Sequence, residues 1–182
     1  INPSNNKKLA DIPVSSEEEL ELAVQSASKA QKIWAKVPLK QRADSILKLC
    51  SLIEKKAEEF ALMDTYNAGN AITFARKDVI QAVEHMKYFA GLIREVKGET
   101  FSTEPNHLNF SRQQPYGVVL KINSFNRPFR WCAEKLAAPI LMGNSVIIKN
   151  SEQAPISSLK FCELLNGIFP DGLINVVTGG AD

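Results

Sequence analysis

Gly117-Val118-Val119-Leu120-Lys121-Ile122 is the stretch that decides the fold. It is short, apolar but for one lysine, and rich in β-branched residues. A polar turn closes it, Asn123-Ser124-Phe125-Asn126-Arg127-Pro128. A bounded run of this kind reads as a strand buried on both faces. The pattern returns twice downstream. Ser145-Val146-Ile147-Ile148-Lys149 follows a helix-like segment from Phe129 to Met142, in which Pro139 predicts a kink or an early end. Gly143-Asn144 is its stop signal. Leu173-Ile174-Asn175-Val176-Val177 follows a second helical segment, which starts at Asn150 to Pro155 and extends toward Ile168. This β-α-β-α-β alternation predicts half of a doubly wound parallel sheet in an α/β, Rossmann-like fold.

Upstream of that unit the chain reads as helical. Ser16 and Glu19 have capping-box spacing, and Glu17, Glu18 and Glu19 suit the positive end of a helix dipole. Leu20, Ala23, Val24, Ala27, Ala30 and Trp34 then recur on one helical face. A second helix is predicted after Pro38, with a stripe of Ile46, Leu49, Cys50, Ile53, Ala57, Phe60 and Ala61. Asn67-Ala68-Gly69-Asn70 breaks it. A third carries Val79, Val83, Met86, Phe89, Ala90 and Ile93 and stops near Gly98. Leu108, Phe110 and Tyr116 to Lys121 predict strands joined around Gln113-Gln114-Pro115. The chain divides accordingly into residues 1–106, a helical N-terminal part of a cofactor-binding domain, and 107–182, a β-α-β-α-β cofactor-binding segment with a preceding strand pair.

Composition narrows the function classes. The 182 residues carry 22 basic and 20 acidic side chains, a net charge of +2, which is too balanced for a nucleic-acid or membrane partner. Apolar runs stay far below the roughly 18 residues of a membrane span. Asn2-Pro3-Ser4-Asn5-Asn6 has no signal-peptide character, and the first residue is Ile, so the natural start is expected to lie upstream. Cys50, Cys132 and Cys162 are widely spaced in apolar surroundings and read as reduced core thiols, which points to the cytoplasm. No metal site is read.

Ligands of doubly wound sheets bind beyond the carboxyl ends of the strands. Here those ends are Asn123 to Asn126, Lys149 to Glu152 and Thr178 to Asp182, and polar residues gather at all three. The glycine-rich dinucleotide fingerprint is missing after the first strand. Glu152 is placed to accept hydrogen bonds from a ribose, with Lys149 beside it for a hydroxyl or a phosphate. The alternative is that Lys149 extends along the surface and Glu152 caps the next helix. Asn126 is a neutral amide that could donate to a developing oxyanion. Its alternative is a turn-shaping role before Pro128.

A resemblance enters at these residues. Gln114-Pro115-Tyr116-Gly117-Val118-Val119 followed by Asn126-Arg127-Pro128 resembles the EPxGVV…PWNxP stretch of aldehyde dehydrogenases. Lys135-Leu136-Ala137-Ala138-Pro139 and Gly143 to Lys149 resemble KLAPAL…GNTVVLK, Ser151 to Pro155 resembles SEQTP, and Asn175 to Gly179 resembles NVVTG. Asn2-Pro3, Ala30 to Trp34, Gln41-Arg42 and Tyr88 to Gly91 also have counterparts, so the likeness runs along the whole chain. It implies a truncated aldehyde dehydrogenase-like fold, with an aldehyde as substrate and NAD or NADP as cofactor. Glu152 tips the choice modestly to NAD, since it would repel a 2′-phosphate that Lys149 only partly offsets. By the resemblance Asn126 is the oxyanion amide. Ile122, Asn123, Ser124 and Phe125 line the cofactor channel, Lys149 and Glu152 contact the adenosine ribose, and Ser151 and Asn126 complete the cofactor-binding set.

The implied reaction oxidises an aldehyde to a carboxylic acid. A cysteine thiolate attacks the aldehyde, hydride passes to the cofactor, and a glutamate-activated water cleaves the thioester. The implied cysteine and glutamate are expected beyond Asp182, so the chain alone is expected to be inactive and the full-length protein to be a homo-oligomer. Several positions depart from the pattern: Ser124-Phe125 for Pro-Trp, Lys121 for a small or polar residue, Asn150 for Pro, and Asn67 to Asn70 for Glu-Thr-Gly-Lys. The alternative reading is a non-catalytic nucleotide-binding or interaction module of the same fold.

Overall fold

Ser16 starts the first helix as its spacing predicts. Its hydroxyl accepts from Glu19 N at 3.2 Å, and the Glu19 carboxylate accepts from Ser16 N at 2.8 Å. The computed structural model describes residues 1–180. Four helices come first: α1 (Glu17–Trp34), α2 (Leu39–Lys55), α3 (Ala57–Ala68) and α4 (Ile72–Leu92). They are followed by β1 (Thr100–Phe101), β2 (Asn109–Phe110), β3 (Val118–Ile122), α5 (Pro128–Glu134), α6 (Ala137–Leu141), β4 (Ser145–Lys149), α7 (Ile156–Cys162) and β5 (Ile174–Val177). Gly69 ends α3 at φ +76°, a left-handed conformation in which glycine carries no steric penalty.

The three longer strands form one parallel sheet in the order β3-β4-β5, with Val118 opposite Ser145 and Lys149 opposite both Ile122 and Val177. Alternation along β4 sorts its side chains between two layers. Val146 and Ile148 enter the main core with Phe60, Phe129 and Phe161. The Phe60 and Phe129 rings stack with centroids 4.3 Å apart, and Phe161 meets Phe129 edge-on at 6.0 Å. Ile147 points the other way, to Ala27 of α1 and Val177 of β5. Helices therefore cover both faces, which makes the unit half of a doubly wound fold. The main core runs from Ala30 to Leu173 and includes side chains from both halves of the chain.

The halves are also joined at a buried helix end. The last carbonyls of an α-helix have no partner within it and need donors from elsewhere. At the end of α6 the donors come from the N-terminal helices. Trp34 Nε1 bonds Ile140 O at 2.7 Å, Arg42 Nη1 bonds Leu141 O at 2.9 Å, and Gln31 Nε2 bonds Gly143 O at 2.9 Å. The same Arg42 guanidinium holds Ala35 O and Val37 O, both at 2.8 Å. Gly143 sits at φ +88°, and a Cβ there would lie 2.8 Å from Arg42 Nη1. Asn144, also buried, accepts from Gly117 N and donates to Pro139 O, both at 3.0 Å, and so ties the start of β3 to α6.

Three expectations are corrected, and the kink predicted from Pro139 is placed. The segment at Leu108 and Phe110 does not pair with the strand that begins near Tyr116. Instead Asn109–Phe110 pairs antiparallel with Thr100–Phe101, and Tyr116 is 97% exposed. Two-residue strands carry no usable periodicity, so pattern alone could not find the partner. The helix expected from Phe129 to Met142 is two helices with a break at Lys135 and Leu136. A proline ring clashes with the carbonyl of the fourth residue before it, and for Pro139 that residue is Lys135. The second predicted helix breaks at Lys56, whose φ of −113° leaves the helical region. The helix expected to reach Ile168 ends at Cys162 and continues as turns, with Leu164 N bonding Phe161 O and Leu165 N bonding Cys162 O.

Replacing Arg42 by Met keeps an apolar stem but leaves three carbonyls of this junction without their donors. Leu141 O is buried while Ala35 O and Val37 O are partly so, and an unsatisfied buried group costs about 1–3 kcal/mol, so the variant is expected to lose about 1–3 kcal/mol of unfolding free energy. Gly143→Ala should also destabilise, through both its positive φ and the contact with Arg42. Denaturant titration checks both, and a midpoint unchanged for Arg42→Met would show that water replaces the guanidinium at no cost.

Candidate functional site

Parallel pairing brings the carboxyl ends of β3 and β4 side by side. Asn123 N donates to Lys149 O at 2.9 Å, which continues the ladder by one residue. Asn123 Nδ2 donates to Asn150 Oδ1, also at 2.9 Å. Both asparagines are buried, so of the residues predicted to line a channel Asn123 is a cross-link between strand ends. Its neighbours differ. Ile122, Ser124, Phe125 and Asn126 are exposed, Ile122 by 72%.

Asn126 sits in the turn before α5. Its Oδ1 accepts from Ser124 Oγ at 2.7 Å and from Trp131 Nε1 at 2.9 Å, and its main-chain carbonyl accepts from Asn70 Nδ2 at 3.1 Å. The side chain is thus anchored through its oxygen to a helix and to the turn. The bonds leave Nδ2, the donor end of the amide, as the free end.

At the end of β4, Lys149 Nζ lies 3.7 Å from Glu152 Oε2. Helix α7 begins at Ile156 with Pro155 as its N-cap and no side-chain cap bond, so Glu152 does not cap it. Ser151 Oγ accepts from Gln153 N at 3.3 Å and shapes the turn between them. Lys149 and Ile122 also line a groove of about 600 Å³ between α1 and the sheet, with Leu20, Val24, Leu120 and Val177. That volume is within the range of small-molecule sites. At the end of β5, Thr178 is held by the segment before α1: Ser15 N donates to Thr178 O at 2.9 Å, and Thr178 Oγ1 donates to Pro13 O at 2.6 Å. Ala181 and Asp182, the last residues of this predicted strand end, lie outside the described residues.

Beside Asn126 lies a charged network that the sequence reading missed. Asp78, buried on α4, receives Arg127 Nη1 at 3.2 Å and Arg130 Nη1 at 3.3 Å. Buried Glu134 receives Arg130 Nε at 2.6 Å, His85 Nδ1 at 2.9 Å and Lys135 Nζ at 3.3 Å. Burial raises the Glu134 pKa, but the Arg130 and His85 contacts outweigh it and hold the carboxyl below its usual range. Lys121 was also missed as a site residue. It faces the helices from β3 and donates to Trp131 O, and to Cys132 O at 2.8 Å. Burial pulls its pKa down to about 8. Trp131 itself has no motif to announce it, and only its distance of one helical turn and a residue beyond Asn126 hinted at contact.

The thiols are poor nucleophiles where they stand. Burial pushes Cys50 up to about 11 and Cys162 up to about 12, and it raises fully buried Cys132 as well. A reactive cysteine needs the opposite shift.

Half of a doubly wound parallel sheet, with polar groups gathered at its strand ends and an adjoining groove, is the class of α/β protein whose ligands bind beyond the strand ends. Comparison makes this specific. The family model described as "Aldehyde dehydrogenase family" matches residues 1–182, and the chain belongs to that family. It is 36% identical to aldehyde dehydrogenase tropH of Talaromyces stipitatus, covering 100% of this chain and 36% of that protein. It is 35% identical to the 4-trimethylaminobutyraldehyde dehydrogenase of Rattus norvegicus, over 98% of this chain and 36% of the relative. Among solved structures, PnpE of Pseudomonas sp. WBC-3 in complex with nicotinamide adenine dinucleotide superposes with a TM-score of 0.94 at 30% identity, covering 98% of this chain and 37% of that one. The glyceraldehyde-3-phosphate dehydrogenase GapN of Methanocaldococcus jannaschii, complexed with NADP, gives 0.93 at 28% identity, over 99% and 40%. The chain therefore spans little more than a third of the relatives it matches.

The turn that carries Asn126 is anchored at its far end by Asp64. This buried carboxylate on α3 accepts from Phe129 N at 3.1 Å, at the start of α5. Burial raises its pKa to about 6, and Ser157 and the Phe129 N–H offset the shift only in part. The folded state thus binds a proton that the unfolded state, near 3.8, has already released. Stability from this group grows as pH falls through about 6 toward 4 and is lost as pH rises through that window. Asp64→Asn should flatten that slope and gain up to about 3 kcal/mol at pH 7, on the scale of the shift. Unfolding midpoints at pH 5 and pH 7.5 test it, and parallel pH profiles in both proteins would show that Asp64 ionises normally.

Proposed function

We propose that these residues form the cofactor-binding N-terminal part of an NAD(P)-dependent aldehyde dehydrogenase, which oxidises an aldehyde to a carboxylic acid. The observation that carries the reading is the orientation of Asn126 at the end of β3. Its Oδ1 is occupied and its Nδ2 is free. A preorganised amide N–H at a strand end can stabilise the negative charge that develops on a carbonyl oxygen under attack. Being neutral, it does so without an added counter-charge.

The residues at the strand ends fit a nicotinamide dinucleotide, which would accept the hydride. Glu152 would receive the ribose hydroxyls, and Lys149 would balance the negative charge near them. Ser151 orders the turn that presents both, and exposed Ile122 with Phe125 offers an apolar wall toward the nicotinamide side. Asn123 supports that wall by joining the strand ends. Family membership and the neighbours bound to NAD and NADP support this class of cofactor. The open ion pair of Lys149 and Glu152 supports only a modest preference for NAD+. The acid repels a 2′-phosphate, the lysine attracts it, and solvent screens both.

The nucleophile is assigned to a residue outside this stretch, because Cys50 and Cys132 are buried, Cys162 is half-buried and all three have raised pKa values; the general base goes with it by the family likeness. The exposed apolar side chains Phe101, Leu108 and Phe110 on the β1–β2 hairpin suit cover by a partner subunit in a homo-oligomer. No helix among the described residues is long and apolar enough to cross a membrane. Charge balance and thiol burial support a cytoplasmic enzyme.

Two measurements test the reading. The 182-residue chain, mixed with NAD+ or NADP+ and a panel of aldehydes, should give no rise in the absorbance of reduced cofactor. Turnover that survives replacement of Cys50, Cys132 and Cys162 would overturn the assignment of roles. In the full-length enzyme, Glu152→Gln should weaken NAD+ binding by about 1–2 kcal/mol, the scale of a hydrogen bond to a charged group, and leave NADP+ binding unchanged or improved. An unchanged NAD+/NADP+ ratio would remove Glu152 from the ribose.

A further inference from the structure

A side-chain amide has nearly the same shape in its two flipped orientations, but the flip exchanges a donor for an acceptor. Only one orientation of Asn126 puts its N–H groups toward a substrate. Ser124 Oγ does not decide which, because a hydroxyl can turn to donate or to accept. Trp131 Nε1 does decide, because an indole nitrogen is a donor only. At 2.9 Å from Asn126 Oδ1 it fixes the oxygen inward. The flipped amide would set two donors against each other and lose the bond.

Trp131 is itself held on three sides. The Arg130 guanidinium lies 5.5 Å from its ring centroid and Lys135 Nζ lies 5.9 Å away, both within cation–π range. The third hold is on the main chain. Helix α5 stops at Glu134, so Trp131 O and Cys132 O belong to its unpaired last turn. Lys121 Nζ donates to both. A cation is favoured at this end of a helix dipole. Lys121 and Asn126 stand on either side of one turn, so a single side chain couples the strand, the helix and the amide between them.

We propose that Trp131 is the positioning residue of Asn126, setting its amide with Nδ2 outward, and that Lys121 holds Trp131 in place by capping α5. The inference rests on Asn126 serving as the oxyanion donor. The two claims are separated by kinetics on the full-length enzyme. Asn126→Ala should lower kcat about 100-fold or more, the usual effect of deleting one oxyanion donor. Trp131→Phe keeps the ring and removes the N–H. It should lower kcat about tenfold and leave KM for aldehyde and NAD+ within about a factor of two, as expected when only transition-state contacts weaken.

The decisive readout is the double variant. In the Asn126→Ala background, Trp131→Phe should cost nothing further, because the group it orients is gone. Lys121→Met should reproduce the kcat loss, and Lys121→Arg, which keeps a cation with donors, should restore most of it. Equal losses from Trp131→Phe in both backgrounds would overturn the proposal and leave Trp131 a general structural residue. A large loss for Asn126→Ala with full kcat for Trp131→Phe would overturn it too, while leaving the role of Asn126 intact. Full kcat for Asn126→Ala would remove the oxyanion reading and the positioning with it. Trp131 is partly exposed and the Phe replacement is conservative, so the two backgrounds decide the matter even if Lys121→Met fails to fold.

Discussion

The carbonyls at the end of α6 are the constraint on which the rest of the structure depends. They lie in the interior or at its edge, and as the last carbonyls of a helix they need donors from outside it. Their donors are Trp34, Arg42 and Gln31, all from the N-terminal helices. This one junction fixes where the helical half sits on the sheet, and through Asn144 it fixes the start of β3. A guanidinium is suited to the task because its planar donors serve several carbonyls at once in a rigid geometry. Burial removes the Arg42 guanidinium from water and lowers its pKa. The remaining layers then follow from apolar packing: α1 on one face of the sheet, and α5 to α7 with the other helices against the opposite face.

Charge is used differently at the two strand ends. At the end of β4 a single ion pair stands open to solvent, where its members can exchange each other for a ligand. Beyond the end of β3, buried Asp78 and Glu134 hold the largely buried Arg130 between them and reach the more exposed Arg127, His85 and Lys135, a network with buried carboxylates at its centre. Breaking such a network leaves a buried charge behind, which makes it a stiff support. The flexible pair is at the proposed cofactor edge and the stiff network is under the proposed catalytic amide. This division matches what each place needs: adaptable charge for binding, fixed geometry for stabilising a transition state.

Much of this was legible in the sequence because local chemistry and tertiary structure agree there. The capping box at Ser16 and Glu19, the stop at Gly69 and the apolar runs of β3, β4 and β5 each state their element within a few residues. The strand ends could be located, and with them Asn126, Lys149 and Glu152. What was not legible depends on contacts between residues distant in sequence. The β1–β2 hairpin has strands of two residues, too short for a pattern. Lys121 looked like an intrusion in an apolar strand until the end of α5 appeared beside it. The bond from Asn123 reaches Asn150, 27 positions away. Asp64 on α3 gave no sign that it would anchor a helix 65 residues later.

The placement of the indoles has a spectroscopic consequence. The sequence has two tryptophans, one in each half. Trp34 is enclosed, 3% exposed, with its N–H on a main-chain carbonyl at the α6 junction. Trp131 is partly exposed, flanked by cations, with its N–H on the Asn126 amide. Their emission therefore separates by environment, bluer from the dry ring and redder from the wet one. The protein contains an optical reporter of its interior docking and a second one at its proposed reaction centre, and each can be read alone once the other is replaced.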